Sequence, residues 1–453
     1  MKITPVIIAA GKGTRMHSKL PKVLHPILGR SLVEYAVGNA HKISETPPVV
    51  VIGKGADEVR RKITTEVQFV VQKEQLGTGH AVQQAESLLK GKTDLVLVVY
   101  GDMPLVRPET LQRLIDCQKT NTGPITMLTV ELDDPHGFGR VVRDENGAVL
   151  GIVEEVQATP EQLAIRELNA GMYCFSSEWL WNALSQIELS PKGEYFLTDL
   201  AGIAAADGKT IETIQLDDPD ELVGINTRVH LAEASAIMQR RINIELMEAG
   251  VSIVDPTSTY IEPDILVGPD TVIWPNTYLQ GKTNIGAACV IGPNSIIRDS
   301  KIGNQCEILY SVVESAVLED QVDVGPYGHL RKGAHLAEGV HMGNYGEVKN
   351  SYLGPGTKMG HFSYLGDATI GPNVNIGAGT ITCNYDGSQK HPTVIGADVF
   401  IGSDSMLVAP LNIEDGARTG AGSVVTKNVP KNTLVVGIPA RAIRKLKKDQ
   451  PKE

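Results

Sequence analysis

Paired cysteines, long apolar runs and an excess of positive charge are all missing from this 453-residue chain. Its five cysteines, Cys117, Cys174, Cys289, Cys306 and Cys383, are odd in number and form no CxxC pair. That pattern excludes a disulfide framework or a cysteine-based structural metal, and free thiols in a reducing compartment are expected. No apolar stretch reaches the ~20 residues that span a bilayer. Residues 1–11 also lack the long apolar segment of a secretory leader. A cytoplasmic protein without a membrane span is therefore expected. Net charge is −11, which argues against a broad nucleic-acid or anionic-membrane surface, because such surfaces need many cations. Small anionic substrates stay open, since one site needs only local cations.

What the chain does have is a period. Ile261, Val267, Ile273, Leu279, Ile285, Ile291 and Ile297 recur at intervals of six, often followed by a turn former, as in Ile291-Gly292-Pro293-Asn294. Six matches neither a helix of roughly 3.6 residues per turn nor a hairpin strand. It matches a coil in which each hexapeptide makes one short strand and one turn, with the aliphatic residue inward. Such coils bury a core only by stacking, which predicts a parallel β-helix. After slips the pattern resumes at Val324, Leu330 and Leu336, at Leu353, Met359 and Leu365, at Ile370 and Ile376, and at Ile395, Ile401, Leu407 and Ile413. Between Ile376 and Ile395 the phase breaks at Thr382-Cys383-Asn384-Tyr385-Asp386-Gly387-Ser388-Gln389-Lys390. This run is too polar for a strand and is expected to project as a loop, where binding residues gather.

The length predicts two or three domains, and 42% hydrophobic with 21% charged residues describes an ordinary globular composition. In the first half, apolar runs at 6–10, 49–52, 69–71, 95–99 and 125–130 alternate with helical segments such as 32–39 and 80–89. Alternation of this kind predicts a parallel, doubly wound α/β sheet with ligands beyond the carboxyl ends of its strands. The first such end carries Gly11-Lys12-Gly13-Thr14-Arg15-Met16. The spacing is not that of a Walker A loop, and alone it reads equally as a tight turn. Arg15 and Lys22 add cations to backbone N–H groups suited to phosphates. Asp102, at the end of another strand, reads either as a cap or as a metal ligand. Residues 227–249 read as a helix closed by Gly250, with Leu231, Met238, Ile242 and Leu246 on one face and Arg240, Arg241 and Glu245 outward. It is expected to be a spacer whose apolar stripe packs on the solenoid.

Ala9-Ala10-Gly11-Lys12-Gly13-Thr14-Arg15-Met16 followed by Pro21-Lys22 resembles the signature of sugar-nucleotide pyrophosphorylases. Gln72-Lys73-Glu74-Gln75-Leu76-Gly77-Thr78-Gly79, Tyr100-Gly101-Asp102, Gly137-Phe138-Gly139-Arg140, Glu167-Leu168-Asn169 and Gly193-Glu194-Tyr195 follow in the expected order. With the hexapeptide half attached, nearly the whole chain resembles the family that fuses an N-acetylglucosamine-1-phosphate uridyltransferase to a glucosamine-1-phosphate N-acetyltransferase. The resemblance implies a Rossmann-like nucleotidyltransferase domain over 1–228, a linker helix over 229–249 and a left-handed parallel β-helix over 250–453. It implies acetylation of glucosamine 1-phosphate by acetyl-CoA and then UMP transfer from UTP to N-acetylglucosamine 1-phosphate, feeding peptidoglycan and lipopolysaccharide precursors. It also implies Mg²⁺ on Asp102 and Asn226, and a homotrimer.

Carried over residue by residue, the uridine nucleotide and its sugar fall to Ile8, Ala9, Ala10, Gly11, Arg15, Lys22, Gln72, Gly77, Thr78, Tyr100, Gly101 and Asp102, with Gly139, Glu154, Asn169 and Asn226. Without the family, Gln72 and Thr78 read as loop caps. In the solenoid the resemblance makes His361 the general base, and a neutral imidazole suits that work; a lone His on a repeat also reads as structural. Arg331 and Lys349 would bind the sugar phosphate. Tyr364, Asn375, Asn384 and Tyr385 would position the sugar, the last two beside acetyl-CoA, whose groove Ala378, Ser403 and Ala421 would line. Three departures stand out. Val156 replaces a frequent Lys, Tyr345-Gly346 replaces Phe-Val, and the usual C-terminal Arg is absent. Arg441 after Gly437-Ile438-Pro439-Ala440 reads as its substitute at the CoA phosphates or as a cation of a solvated tail running to Glu453. Two rivals remain: a single-activity nucleotidyltransferase with a non-catalytic solenoid, and the same catalysis on another nucleotide such as dTTP.

Overall fold

The computed structural model describes residues 1–132 and 137–445. The end of the expected tail and the side chain of Val156 lie outside the described residues. The chain divides into two compact units, Met1–Met238 and Gln239 onward.

In the first unit the apolar runs form β1 (Ile3–Ala9), β2 (Val49–Ile52), β3 (Gln68–Val71), β4 (Leu95–Tyr100), β5 (Ile125–Glu131), β6 (Glu167–Ser176) and β7 (Ile211–Gln215), ordered β7-β5-β6-β4-β1-β2-β3. Side chains alternate between faces, as the period of two requires. Leu95, Leu97 and Val99 pack with Val33, Val37, Leu111 and Leu114 on one side. Val96 and Val98 pack with Val82, Leu180, Trp181 and Ala204 on the other. Helices thus cover both faces. One expectation is corrected: the sheet is not wholly parallel, because β6 runs antiparallel to β4 and β5. The long hairpin-like excursion over 140–153 brings the chain back reversed, and a short apolar run carries no mark of its direction. The reversal matters for the site. β1 and β4 end side by side, Ile8 opposite Tyr100, and β6 enters at that same edge with Asn169.

The second unit is the predicted solenoid. Three parallel sheets wind together, and each strand pairs with the one a coil later: Ile261 with Leu279, Ile285 with Ile302, Ile297 with Val313. The six-step aliphatics all belong to one core, most of them without solvent exposure. The slips are five-residue sides. Ile302, Ile308, Val313 and Leu318 hold inward places although the interval shortens, because the turn gives up a residue while the short strand keeps its own. A second expectation is corrected here. Ile381–Cys383 is a strand with Thr382 stacked on Leu407 in a core position, so the break begins only after Cys383.

A second inward row runs two residues ahead of the aliphatic one and is small and hydroxylic: Thr271, Thr277, Thr283, Ser295, Ser300 and Ser311 are buried. These side chains receive backbone N–H groups of the next coil. Cys289 N donates to Thr271 Oγ1 at 3.1 Å, Ser311 N to Ser295 Oγ at 3.2 Å and Ala316 N to Ser300 Oγ at 3.1 Å. A buried hydroxyl is tolerated because its hydrogen-bonding capacity is used in this way.

The helix runs over Arg228–Glu248. Thr227 caps its start, its Oγ1 accepting from His230 N at 3.2 Å. At the end Val251 N reaches Leu246 O and Gly250 N reaches Met247 O, with Gly250 at φ 95, the paired bonds of a glycine-terminated helix. Leu231 and Met238 pack with the first unit, and Ile242 and Leu246 with the solenoid core. The expected apolar stripe is only part of the seam, for the buried members beyond Met238 are Gln239 and Asn243. Gln239 Nε2 donates to the carbonyls of Pro256, Thr257 and Thr259, and Asn243 Nδ2 to those of Pro256 and Thr259, at 2.9–3.1 Å. Leucine at 239 takes the side-chain donor from the Thr257 carbonyl and leaves those of Pro256 and Thr259 to Asn243, so Gln239→Leu is expected to cost the solenoid on the order of 1–3 kcal/mol. Denaturant unfolding followed in the second unit checks this.

All five cysteines are free. Among the described residues no helix is long and apolar enough to cross a membrane.

Candidate functional sites

In the first unit the loops after β1 and β4, the start of β6 and the segment before the helix meet around a cavity of about 620 Å³. Arg15, Tyr100, Asp102, Asn169, Gly171 and Asn226 line it, so four separated motifs of the sequence converge. The two expected metal ligands share one cation already. Lys22 Nζ donates to Asp102 Oδ2 and, at 3.0 Å, to Asn226 Oδ1. Among the described residues no three His, Cys, Asp or Glu side chains gather as a metal site.

Gly11 leaves room that the fold itself does not use: a Cβ there would meet nothing within 4 Å. At Gly13, with φ +60, a Cβ would strike Lys22 Cβ at 2.6 Å, so the glycine seats the lysine. Ala9 and Ala10 are buried beneath the loop. Asn169 Oδ1 accepts from Tyr173 Oη at 3.0 Å and Gly171 N at 3.1 Å, which turns its amide N–H edge to the cavity. Asn169 N is tied to Gly139 O at 2.8 Å. Glu154 Oε1 accepts from Thr198 Oγ1 at 3.0 Å. Burial lifts the Asp199 carboxyl above its ordinary pKa, with Glu154 adding to it. Burial likewise lifts the Tyr100 phenol far above its ordinary range, aided by Asp102 and Glu154, which keeps it a hydrogen-bond donor.

Gln72, Gly77 and Thr78 do not line this cavity. Gln72 is buried and gives its amide to Gly77 O at 3.0 Å and to the His80 ring, while Thr78 Oγ1 accepts from Leu197 N. His230 and Glu233 do line it, although neither is among the residues expected there. The available signal was their spacing of three along a helix that starts directly after Asn226.

In the second unit a cationic cluster gathers where the polar insertion leaves the coil. Arg331 pairs with Glu347 at 2.6 Å. The Lys349 ammonium is held below the ordinary lysine pKa, first by Lys390 beside it and then by Arg331. Burial raises Asp367, but hydrogen bonds from Asn350 (2.6 Å) and Asn384 (2.5 Å), with Lys390 and Lys349 nearby, outweigh it and hold the carboxyl low. Cations crowded until one loses proton affinity are relieved by an anion. Lys390 is the one lysine of that polar run, and nothing in its local sequence marks it as a site residue. Tyr364 Oη and Asn384 Nδ2 meet over Gly366, where a Cβ would lie 2.3 and 2.7 Å from them, so only glycine admits both.

His361 is exposed at a corner of the solenoid, followed by exposed Phe362, and among the described residues no side chain hydrogen-bonds it. Along that edge the chain stacks in turns: Gly379 N on Phe362 O, Asp404 N on Ala378 O, Gly422 N on Ser403 O. Ala378, Ser403 and Ala421 therefore sit on successive turns of one edge. Asn375 stands on a different sheet from Tyr364, beside Lys358 and Phe400. Tyr385 is exposed, its hydroxyl on Gly387 O. Arg441 opens a strand, Arg441–Lys445, that returns antiparallel to Thr433–Val436, and its exposed guanidinium donates to Ala440 O at 3.1 Å. The Tyr345-Gly346 departure has a packing reason. A Cβ at 346 would meet Met359 Cε at 2.5 Å and Met342 Cε at 2.9 Å, so these methionines fill the space a larger residue would take.

Residues 5–172 match the family described as MobA-like NTP transferase domain. Residues 264–299 match bacterial transferase hexapeptide (six repeats), and 392–427 the hexapeptide repeat of succinyl-transferase. The chain is 46% identical over 432 residues to a protein of Exiguobacterium sp. AT1b named "Bifunctional protein GlmU", covering 95% of this chain and 96% of that one. It is 47% identical over 433 residues to the Streptococcus gordonii protein of that name (95% and 94% covered) and 44% over 441 to that of Enterococcus faecalis (97% and 96%).

Proposed function

The chain belongs to the GlmU family of bifunctional proteins, and from that premise we propose how its residues divide the two reactions. It is an enzyme of UDP-N-acetylglucosamine synthesis that joins an acetyltransferase to a uridyltransferase. The observation that carries the residue assignment is that each unit holds its own cationic site: Arg15 and Lys22 in the first, Arg331, Lys349 and Lys390 in the second. Phosphate-bearing substrates in both halves are what such a pair serves. Each site calls for a cation that stays charged.

In the first unit, which we take through Met238 because Leu231 and Met238 pack with it, the Gly11 loop, Arg15 and Lys22 would cradle the phosphates of UTP. Asn169, Glu154 and Gly139 would hold the sugar. A phosphate oxygen of N-acetylglucosamine 1-phosphate attacks the α-phosphorus in line and pyrophosphate leaves. No covalent nucleophile is needed, so alignment and charge carry the step. Asp102 and Asn226 suit Mg²⁺, since both are hard oxygen donors and already share a cation. Bound there, the ion would neutralise charge on the reacting phosphates. Gln72 and Thr78 support the nucleotide loops from behind.

In the second unit Arg331, Lys349 and Lys390 would bind the phosphate of glucosamine 1-phosphate, with Tyr364, Asn375, Asn384 and Tyr385 around the sugar. His361 takes the amine proton as nitrogen attacks the acetyl carbonyl, and the CoA thiolate leaves. The turns at Ala378, Ser403 and Ala421 would line the acetyl-CoA groove. A cytoplasmic homotrimer fits the exposed outward side chains of the solenoid, among them Leu266, Phe400 and a column of Tyr310, Tyr327 and Tyr345.

Incubation with glucosamine 1-phosphate, acetyl-CoA, UTP and Mg²⁺, each omitted in turn, tests the scheme. Product should vanish with any omission, and the acetylated sugar phosphate should persist without UTP or Mg²⁺. Activity with dTTP in place of UTP would instead favour the other nucleotide. Arg441→Ala is expected to raise the KM for acetyl-CoA with little change in kcat, because a distant phosphate contact is equal in ground and transition states. An unchanged KM returns Arg441 to the tail.

A further inference from the structure

We propose that Lys22 is a resident cation for the Asp102–Asn226 pair: it holds the pair until the nucleotide draws it off, so that nucleotide and divalent ion bind as a coupled couple. This rests on the reading of that pair as the metal site. Lys22 Nζ touches both oxygens, and the two charged side chains are only 11% and 20% exposed. At that burial the ion pair is screened far less than a surface pair. A divalent ion on Asp102 would stand within a few ångströms of the ammonium, and the two cations exclude one another.

The lysine is built to change partners. Its Cβ is packed into the space left by Gly13, in the loop that ends the first strand, so its root is fixed beside the phosphate cradle. Its four-carbon stem rotates freely enough to carry the ammonium from Asp102 to a phosphate. A nucleotide phosphate thus gives Lys22 a new anion and leaves Asp102 and Asn226 open. Linkage makes the effect reciprocal: metal favours nucleotide as much as nucleotide favours metal.

The test is binding of Mn²⁺ alone to the full chain, read from the free-ion electron paramagnetic resonance signal. Lys22→Met and Lys22→Gln should each bind Mn²⁺ at least about tenfold more tightly than wild type, although both weaken UTP. Two variants with thermal unfolding curves keep a folding defect from passing as an answer. Asp102→Asn should lose the binding. If Asp102→Asn keeps wild-type Mn²⁺ affinity, the metal reading falls and this inference with it. If it loses the ion while neither lysine variant gains, the metal reading stands and the exchange is overturned.

Discussion

Acetyl transfer is expected to fall roughly 10²–10⁴-fold in His361→Ala, the range for losing a positioned proton acceptor, with uridyl transfer at the wild-type rate. His361 is exposed at a solenoid corner and hydrogen-bonds no described side chain, so the substitution leaves no buried group stranded. The fold should be unaffected, and circular dichroism checks that. The same exposure makes the site open to a small base, and added imidazole should restore part of the rate. A loss under about tenfold, or none that imidazole repairs, would make the residue an ordinary corner of the repeat.

Uridyl transfer is expected to fall by about 10²-fold or more in Asp102→Ala, comparable to removing a preorganised group that meets developing charge. Acetyl transfer should hold, since Asp102 belongs to the other unit. Two effects combine. The expected metal loses its one charged ligand, and Lys22 loses its carboxylate partner. Steady-state rates measured against Mg²⁺ separate them: raising the metal should recover little. A variant with unchanged rate and unchanged metal dependence would remove Asp102 from the reaction.

The six-residue period was legible because the inward aliphatic residue recurs every six positions without exception from Ile261 to Ile297. The shortened sides around Ile302 and Val313 were not, because losing a turn residue shifts the spacing without disturbing the stack. Thr382 hid in the same way: a threonine in an aliphatic row reads as a break until its coil neighbour Leu407 is known. The converging motifs of the first unit were each readable as strand ends, but the antiparallel course of β6, which brings Asn169 to Asp102's edge, depends on pairing far along the chain. Lys390 was invisible as a site residue because its meaning comes from Lys349 and Arg331, which only the coil stacking sets beside it.

The two ends of the solenoid have a consequence for how the protein behaves at high concentration. A stack of parallel strands ends in rows of unsatisfied N–H and C=O groups, and such an edge can recruit another chain and grow into a fibre. At the first coil, Gln239 and Asn243 occupy the carbonyls of Pro256, Thr257 and Thr259. At the last, the strand Arg441–Lys445 reverses direction and presents Arg441, Arg444 and Lys445, all exposed. An antiparallel charged strand is a poor template for another parallel coil. The helix amides and the closing strand thus act as stoppers on a column that would otherwise lengthen by adding copies of itself.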